Sequence, residues 1–433
     1  MSPVLPFDII ALIIDIVGEN NDTDLLKELA LVSHSFLQIC IKHLFATIEL
    51  HDACPKYHVA SSKKGFVRLL NSRPNVVKYI RKLTYKTNDR AYETEDNDYY
   101  PPPSFDNEDD LLSPILPNFL RTISRLNCLK IDASNVYMGL ASDWNSLNPS
   151  LTSAFLHLMH LPTINHIDLS YILDFPWSSL TSSVNLHRLD ILHLNHSHPQ
   201  GGDSSYDIVL SEMMPKIREF HTSESFTETR VLLHAKRQDG RPAFNFMDLR
   251  RVSMRFAWPG DGQNVRYLLQ NAKLLETLHL SVPIHQTLVG LHVILSPIPR
   301  TLKVLDLDLS VDGSIPLRLA VLCEELEAMA GHNMLEALSF DVHVDLASQE
   351  AGVFIGSMMQ EVEKVLVKSG WSVLRQVSFK FSIACWEEAI RESLAKLSQA
   401  LQFLSDKYPN LSKLEFISID SSSYVVKCKF EFD

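Results

Sequence analysis

One six-residue pattern recurs along most of the chain and constrains its fold more than any other feature. It runs apolar, two others, apolar, one other, and a third position that is usually apolar. It appears as IRKLTY (80–85), LNCLKI (126–131), INHIDL (164–169), LDILHL (189–194), IREFHT (217–222) and LRRVSM (249–254). It continues as LETLHL (275–280), LKVLDL (302–307), LEALSF (335–340), LRQVSF (374–379) and LSKLEF (411–416). The final alternation is the period of a strand with one buried face, and it extends through Leu305, Leu307 and Leu309 and through Val377, Phe379, Phe381 and Ile383. Units begin 25 residues apart between Ile164 and Leu189, 28 between Leu189 and Ile217, 27 between Leu275 and Leu302, and 39 between Leu335 and Leu374. Each interval has room for one strand and one helix.

Helical spacing fills some of those intervals. LRLAVLCEELEAMAG puts Leu319, Leu322, Leu326 and Ala330 on one face, with Gly331 placed to end the helix. WEEAIRESLAKLSQALQFLSDKYP does the same with Trp386, Ile390, Leu394, Leu397, Leu401 and Leu404. Strand–helix units repeated in this way bury their faces against their neighbours, which predicts an α/β solenoid. A doubly wound sheet would want Gly-rich strand–helix turns, and the chain has only 14 glycines in 433 residues.

The N-terminus follows a different rule. LPFDIIALIIDIV (5–17) is apolar, but Asp8 and Asp15 interrupt it and no Lys or Arg precedes it. It therefore fits neither a secretory signal nor a membrane span, and no other stretch is long and apolar enough to cross a bilayer. Ile9, Ile13, Ile16 and Val17 share one helical face; Leu25, Leu29, Val32, Phe36 and Ile39 share another across DLLKELALVSHSFLQICIKHLF (24–45), with Asp22 or Thr23 as its N-cap. A helical module of about 50 residues is too small for a large core and leans on a partner or on the next domain.

The formal net charge is −12. Residues 89–110 (DRAYETEDNDYYPPPSFDNEDD) carry nine acids and one Arg, −8 in all, and leave −4 for everything else. No basic face invites nucleic acid, and the acidic stretch reads as a mobile loop. The six cysteines (40, 54, 128, 323, 385 and 428) form no C-x-x-C pair and sit in apolar stretches, as reduced thiols of an intracellular protein do. No nucleophile elbow, P-loop, zinc-protease or dinucleotide motif is present, so no enzymatic activity and no cofactor are expected. The HLNHSH cluster (His193, His196 and His198) reads as surface histidines, not as a metal site.

Two resemblances give these patterns a meaning. LPFDII (5–10), Ile13 and Val17, followed by DLLKELALVSHSF (24–36), resemble the F-box motif, and LFATIEL (44–50) resembles the strand-like exit of fungal F-box proteins. Departures are Phe7 and Asp8 where an acid and Glu are common, and His34 where Arg or Lys is usual. The resemblance implies docking on a Skp-type adaptor, and through it on a cullin-based ubiquitin ligase. Its motif positions are Leu5, Pro6, Ile9, Ile13, Leu25, Leu29, Val32 and Phe36. The strand–helix units resemble leucine-rich repeats, with some units longer than the usual length and the buried Asn of the consensus missing from most.

The expected architecture is thus a small N-terminal helical F-box module (1–50), a connection with a first repeat-like unit (51–88), the acidic loop (89–110) and an irregular leucine-rich-repeat solenoid of alternating strands and helices (111–433). In that register one polar column faces the concave side: Asp168, His193, His221, Ser253, His279, Asp306, Ser339, Ser378 and Glu415. The next outward positions are Ser170, Asn195, Ser281, Asp308, Asp341 and Lys380. Rungs stack about 4.8 Å apart, so such a strip suits a protein target better than a small molecule, and an acid–imidazole neighbourhood such as Asp168 and His193 would make it pH-sensitive. The expectation is an intracellular substrate receptor, cytoplasmic or nuclear. The alternative is a non-enzymatic repeat scaffold in which residues 1–50 only cap the solenoid.

Overall fold

Three helices open the chain: α1 (Phe7–Glu19), α2 (Thr23–Val32) and α3 (His34–Leu44). The computed structural model describes residues 6–20, 22–51, 63–86, 115–134, 142–193, 214–223, 225–237, 239–255, 261–282, 290–298, 300–311, 315–345, 357–358, 360–362, 364–366, 370–384, 411–418 and 423–431. The acidic stretch 89–110, Leu5, His196, His198 and the helical pattern at 386–409 lie outside them. The expected long helix of residues 24–45 is in fact two. Ser33 takes an extended conformation, and its hydroxyl accepts a hydrogen bond from the Phe36 N–H, capping α3 as Asp22 caps α2 through the Leu25 N–H. A serine in this role satisfies an orphan amide, so the chain turns between two apolar stripes that share one spacing.

The fold is mixed α/β, with the helical region leading into parallel sheet, and the chain divides into two units. The first comprises residues 1–216 and 234–244. After α3 come β1 (Thr47–His51), α4 (Lys63–Ser72), a 3-10 helix (Pro74–Tyr79), β2 (Lys82–Lys86), α5 (Ile115–Thr122), β3 (Cys128–Asp132), a short β4 (Ser142–Asp143) and α6 (Pro149–Met159). Then follow β5 (His166–Ser170), a short β6 (Ile172–Leu173), which pairs with β4, and β7 (Arg188–Leu192). The main sheet of this unit runs β1-β2-β3-β5-β7, with every pairing parallel. The first, second and third apolar positions of the repeat are its core: Ile80, Leu83, Leu126, Leu129, Ile131, Ile164, Ile167 and Leu169 are all fully buried.

The second unit holds residues 217–233 and 245–433. Its elements are β8 (Glu219–Ser223), α7 (Phe226–His234), β9 (Arg251–Arg255), α8 (Asp261–Asn271), β10 (Thr277–Val282), α9 (Leu291–Leu295), β11 (Val304–Val311), α10 (Ile315–Met329), β12 (Ala337–Asp345), β13 (Gln376–Ala384), β14 (Leu411–Ser418) and β15 (Ser423–Glu431). Strands β8 to β13 are parallel and stand in chain order. Leu305, Leu307, Leu309, Val377, Phe379 and Phe381 are buried as their alternation requires, and Gly331 ends α10's last turn at φ 77. Stacked Phe340 and Phe379 rings, with centroids 4.9 Å apart, extend this core across β12 and β13.

Two expectations of register are corrected. LSKLEF does form a strand, β14, but it pairs antiparallel with β15, which in turn pairs antiparallel with β13. Only 419–422 separate β14 from β15, too few residues for a parallel crossover, so a hairpin results. Glu415 therefore stands opposite Lys427 and Ser378 opposite Lys429, which removes Glu415 from the column that contains Ser378. The second correction concerns LDILHL. Strand β7 aligns Leu189 with Ile167 and Ile191 with Leu169, so this unit is LHRLDI (186–191), three residues earlier than LDILHL. Leu186, Leu189 and Ile191 are its fully buried positions.

Candidate functional site

The helical module has two apolar surfaces of opposite fate. Ile14, Leu26 and Cys40 form its core, and Ile10, Val17, Leu29, Ala30, Phe36, Ile39 and Leu44 pack against them. Helices α1 and α3 are joined by Asp15, whose Oδ1 lies 2.7 Å from both Lys42 Nζ and His43 Nε2. Those hydrogen bonds hold the Asp15 carboxyl below the usual carboxylate range.

A second stripe on α1 faces outward. Phe7, Ile9, Leu12, Ile13 and Ile16 are 45–57% exposed, while Ile10, Ile14 and Val17 turn inward. At 3.6 residues per turn the two stripes lie about 100° apart. Leu25, Leu31 and Val32 extend the exposed apolar set on α2, with Leu31 87% and Val32 65% accessible. Of the motif positions, Pro6, Ile9, Ile13, Leu25 and Val32 are exposed, whereas Leu29 and Phe36 pack inside the module. Phe7, Leu12, Ile16 and Leu31 join the exposed set although the motif did not single them out. Their signal was present: 9, 12, 13 and 16 follow helical spacing as well as 10, 14 and 17 do. Fully burying one such side chain is worth about 1.5–3 kcal/mol, so this face gains substantially from being covered.

The polar strand faces within each unit are the other candidate. In the first unit one rung aligns Glu49, Thr84, Lys130, Asp168 and Asp190. Asp168 accepts from Lys130 Nζ at 2.9 Å and from Ser170 Oγ at 3.1 Å. Asp190, not His193, stands next to Asp168 in the register. His193 instead lies beyond the end of β7, at φ 49, with its ring stacked 4.4 Å from that of Tyr171, itself at φ 57. Asp168 and His193 are thus not neighbours, and the acid–imidazole contact of this face is another one: His166 Nε2 lies 2.9 Å from Asp190 Oδ2. Arg188 grips the same carboxylate from Nε at 3.1 Å and Nη2 at 3.0 Å. Burial opposes charge on His166, but its hydrogen bonds to Asp190 and Cys128 outweigh that and push its pKa up to about 9.

In the second unit His221, Ser253, His279, Asp306, Ser339 and Ser378 are consecutive partners across β8 to β13, as their spacing predicts. One rung outward come Arg255, Ser281, Asp308, Asp341 and Lys380. Lys380 Nζ contacts Asp341 Oδ2 at 2.5 Å, and His343 Nε2 reaches Asp308 Oδ1 at 3.4 Å. Most of these side chains are half-buried, with Arg255 and His343 exposed, so the face offers a surface of mixed charge. Among the described residues, no group of three or more His, Cys, Asp or Glu is placed to hold a metal ion. No described helix is long and apolar enough to cross a membrane. No protein-family model matches the chain, and no curated protein matches it significantly.

Proposed function

We propose that the chain is the substrate-recognition subunit of a cullin-based ubiquitin ligase, docking through α1 and α2 on a Skp-type adaptor and presenting a protein target on the polar strand faces. The observation that carries this reading is the uncovered apolar face of Phe7, Ile9, Leu12, Ile13, Ile16, Leu31 and Val32 on a module with its own separate core. That face falls within the segment resembling the F-box motif. Parallel strands in chain order, one per strand–helix unit, support a leucine-rich-repeat-like solenoid. On this reading the protein is non-enzymatic, works in the cytoplasm or nucleus, and leaves ubiquitin transfer to the ligase.

The test is direct binding of the purified full chain to a purified Skp-type adaptor, followed by calorimetry or size-exclusion chromatography. Complex formation is expected, with loss of binding of at least tenfold in Ile9→Glu and Val32→Glu while thermal unfolding stays unchanged. A folded wild-type chain that forms no complex overturns the proposal.

One observation favours the scaffold reading. β1 pairs along its whole length with β2, from Thr47↔Lys82 to His51↔Lys86, and so covers that strand's edge. Deleting residues 1–50 would therefore expose an edge whichever reading holds. Deleting 1–44 keeps β1 and separates them: a receptor retains its folded strands and loses only the adaptor, whereas a scaffold capped by the helices unfolds or aggregates.

A further inference from the structure

At the N-terminal ends of four adjacent strands, Lys82, Cys128, His166 and Arg188 are consecutive register partners. Cys128 Sγ lies 3.2 Å from His166 Nδ1, and His166 Nε2 lies 2.9 Å from Asp190 Oδ2. A thiol therefore meets one imidazole nitrogen and a carboxylate meets the other. The carboxylate is fixed by Arg188 and 9% exposed in its side chain, so it sets the ring's orientation and tautomer. With one ring proton directed from Nε2 to Asp190 and the other, given up by the Cys128 thiol, on Nδ1, the imidazolium is stabilised from both sides. This is the nucleophile, base and orienting acid relationship that activates thiols. Cys128 is partly exposed, unlike Cys40, which is fully buried and whose thiol burial pushes up. Lys130 and Asp168, paired with each other, and Asp132 on β3 also carry charge on these strands.

We propose that Cys128 is a base-assisted nucleophilic thiol and a site of covalent modification by small disulfides that carry carboxylates. The Cys128 proton resides on His166 Nδ1 in a thiolate–imidazolium pair, and the thiolate attacks one sulfur of the disulfide. An Sγ–S bond forms as the S–S bond breaks. The departing thiolate takes up the proton that His166 holds. One thiol and one disulfide become a mixed disulfide and a small thiol, so electrons and atoms balance without a further oxidant. The exposed Lys82 opposite Cys128 favours an anionic reagent over a cationic one.

The experiment uses the full chain at neutral pH, with peptide-resolved labelling by iodoacetamide in native buffer and in urea. Native Cys128 is expected to react at least about tenfold faster than the same cysteine in the unfolded chain, with Cys40 protected. His166→Gln should remove that advantage, and Asp190→Asn should reduce it. Glutathione disulfide should form the mixed disulfide faster than cystamine does. A native Cys128 no faster than its unfolded counterpart overturns the proposal without recourse to any variant. Equal rates in wild type and a folded His166→Gln overturn the role of the base, and a faster reaction with cystamine overturns the assignment of reagent charge.

Discussion

Gly18 on α1 faces the ring of His43 on α3 so closely that a Cβ at that position would come within 2.7 Å of Cε1 and nearer still to Nδ1 and Cγ. The ring cannot simply swing aside, because its Nε2 is held by Asp15. Gly18→Ala is therefore expected to destabilise the helical module by about 1–3 kcal/mol despite alanine's better helix propensity, the cost of overpacking outweighing the gain. Thermal unfolding of the variant, with helical content followed by circular dichroism, measures it.

Ile13 and Ile14 are sequence neighbours with opposite roles, one 46% and the other 1% exposed. Ile14→Ala should cost about 2–4 kcal/mol by leaving a cavity beside Leu26 and Cys40. Ile13→Ala should stay within about 0.5 kcal/mol of the parent. Denaturant titrations of the two variants decide it, and equal losses would mean that the outer face is packed.

The pair of His166 and Asp190 carries a definite pH signature. The folded pKa of His166, about 9, lies above an unfolded value of about 6.5. Its stabilising contribution is thus complete below about pH 6.5 and is lost as pH rises toward 9. In Asp190→Asn the histidine titration, followed by NMR, should move down toward the ordinary value, and that pH-dependent part of the stability should shrink with it.

Glu325 on α10 clasps the start of α9. It accepts from the Gly290 N–H at 2.6 Å and the His292 N–H at 2.9 Å, and its Oε2 lies 2.6 Å from His292 Nδ1. Burial raises the pKa of this carboxyl, but these hydrogen bonds more than offset it and hold the group below its ordinary range. Its contribution is therefore present above an unfolded pKa of about 4.3 and is lost as pH falls below it. Glu325→Ala should cost about 1–3 kcal/mol, because two part-buried amides lose a charged acceptor. Hydrogen exchange should locate the loss at Gly290 and His292.

Much of the fold is legible from local pattern. The unit at INHIDL needs only its own alternation to show that Ile167 and Leu169 are buried, and the same holds for Leu305 and Leu307. LHRLDILHL contains two overlapping fits, Leu186-Leu189-Ile191 and Leu189-Leu192-Leu194. Alternation scores them alike; the pairing of β7 with β5 separates them. That slip moved His193 into the polar rung and hid both Asp190 and its contact with His166. Strand β15 is marked in sequence by Val426, Cys428 and Phe430 alternating with Lys427, Lys429 and Glu431. Its proximity to LSKLEF is the signal that would have revealed a hairpin.

In the helical module the sequence marked which residues are apolar and where α2 begins, but not which apolar stripe faces in. Stripes 10-14-17 and 9-13-16 are equally periodic, and α1 alone gives no reason to choose. The choice is made by α3, whose His43 and Lys42 reach Asp15 and whose side of α1 is the one that carries Gly18. Periodicity is a property of a single segment, so the sequence by itself determined where apolar faces recur and, in units such as INHIDL and LKVLDL, which strand positions are buried. Register, strand direction and the outward face of α1 are relations between segments distant in the chain. Only tertiary packing decided those, and with them the meeting of Cys128, His166 and Asp190.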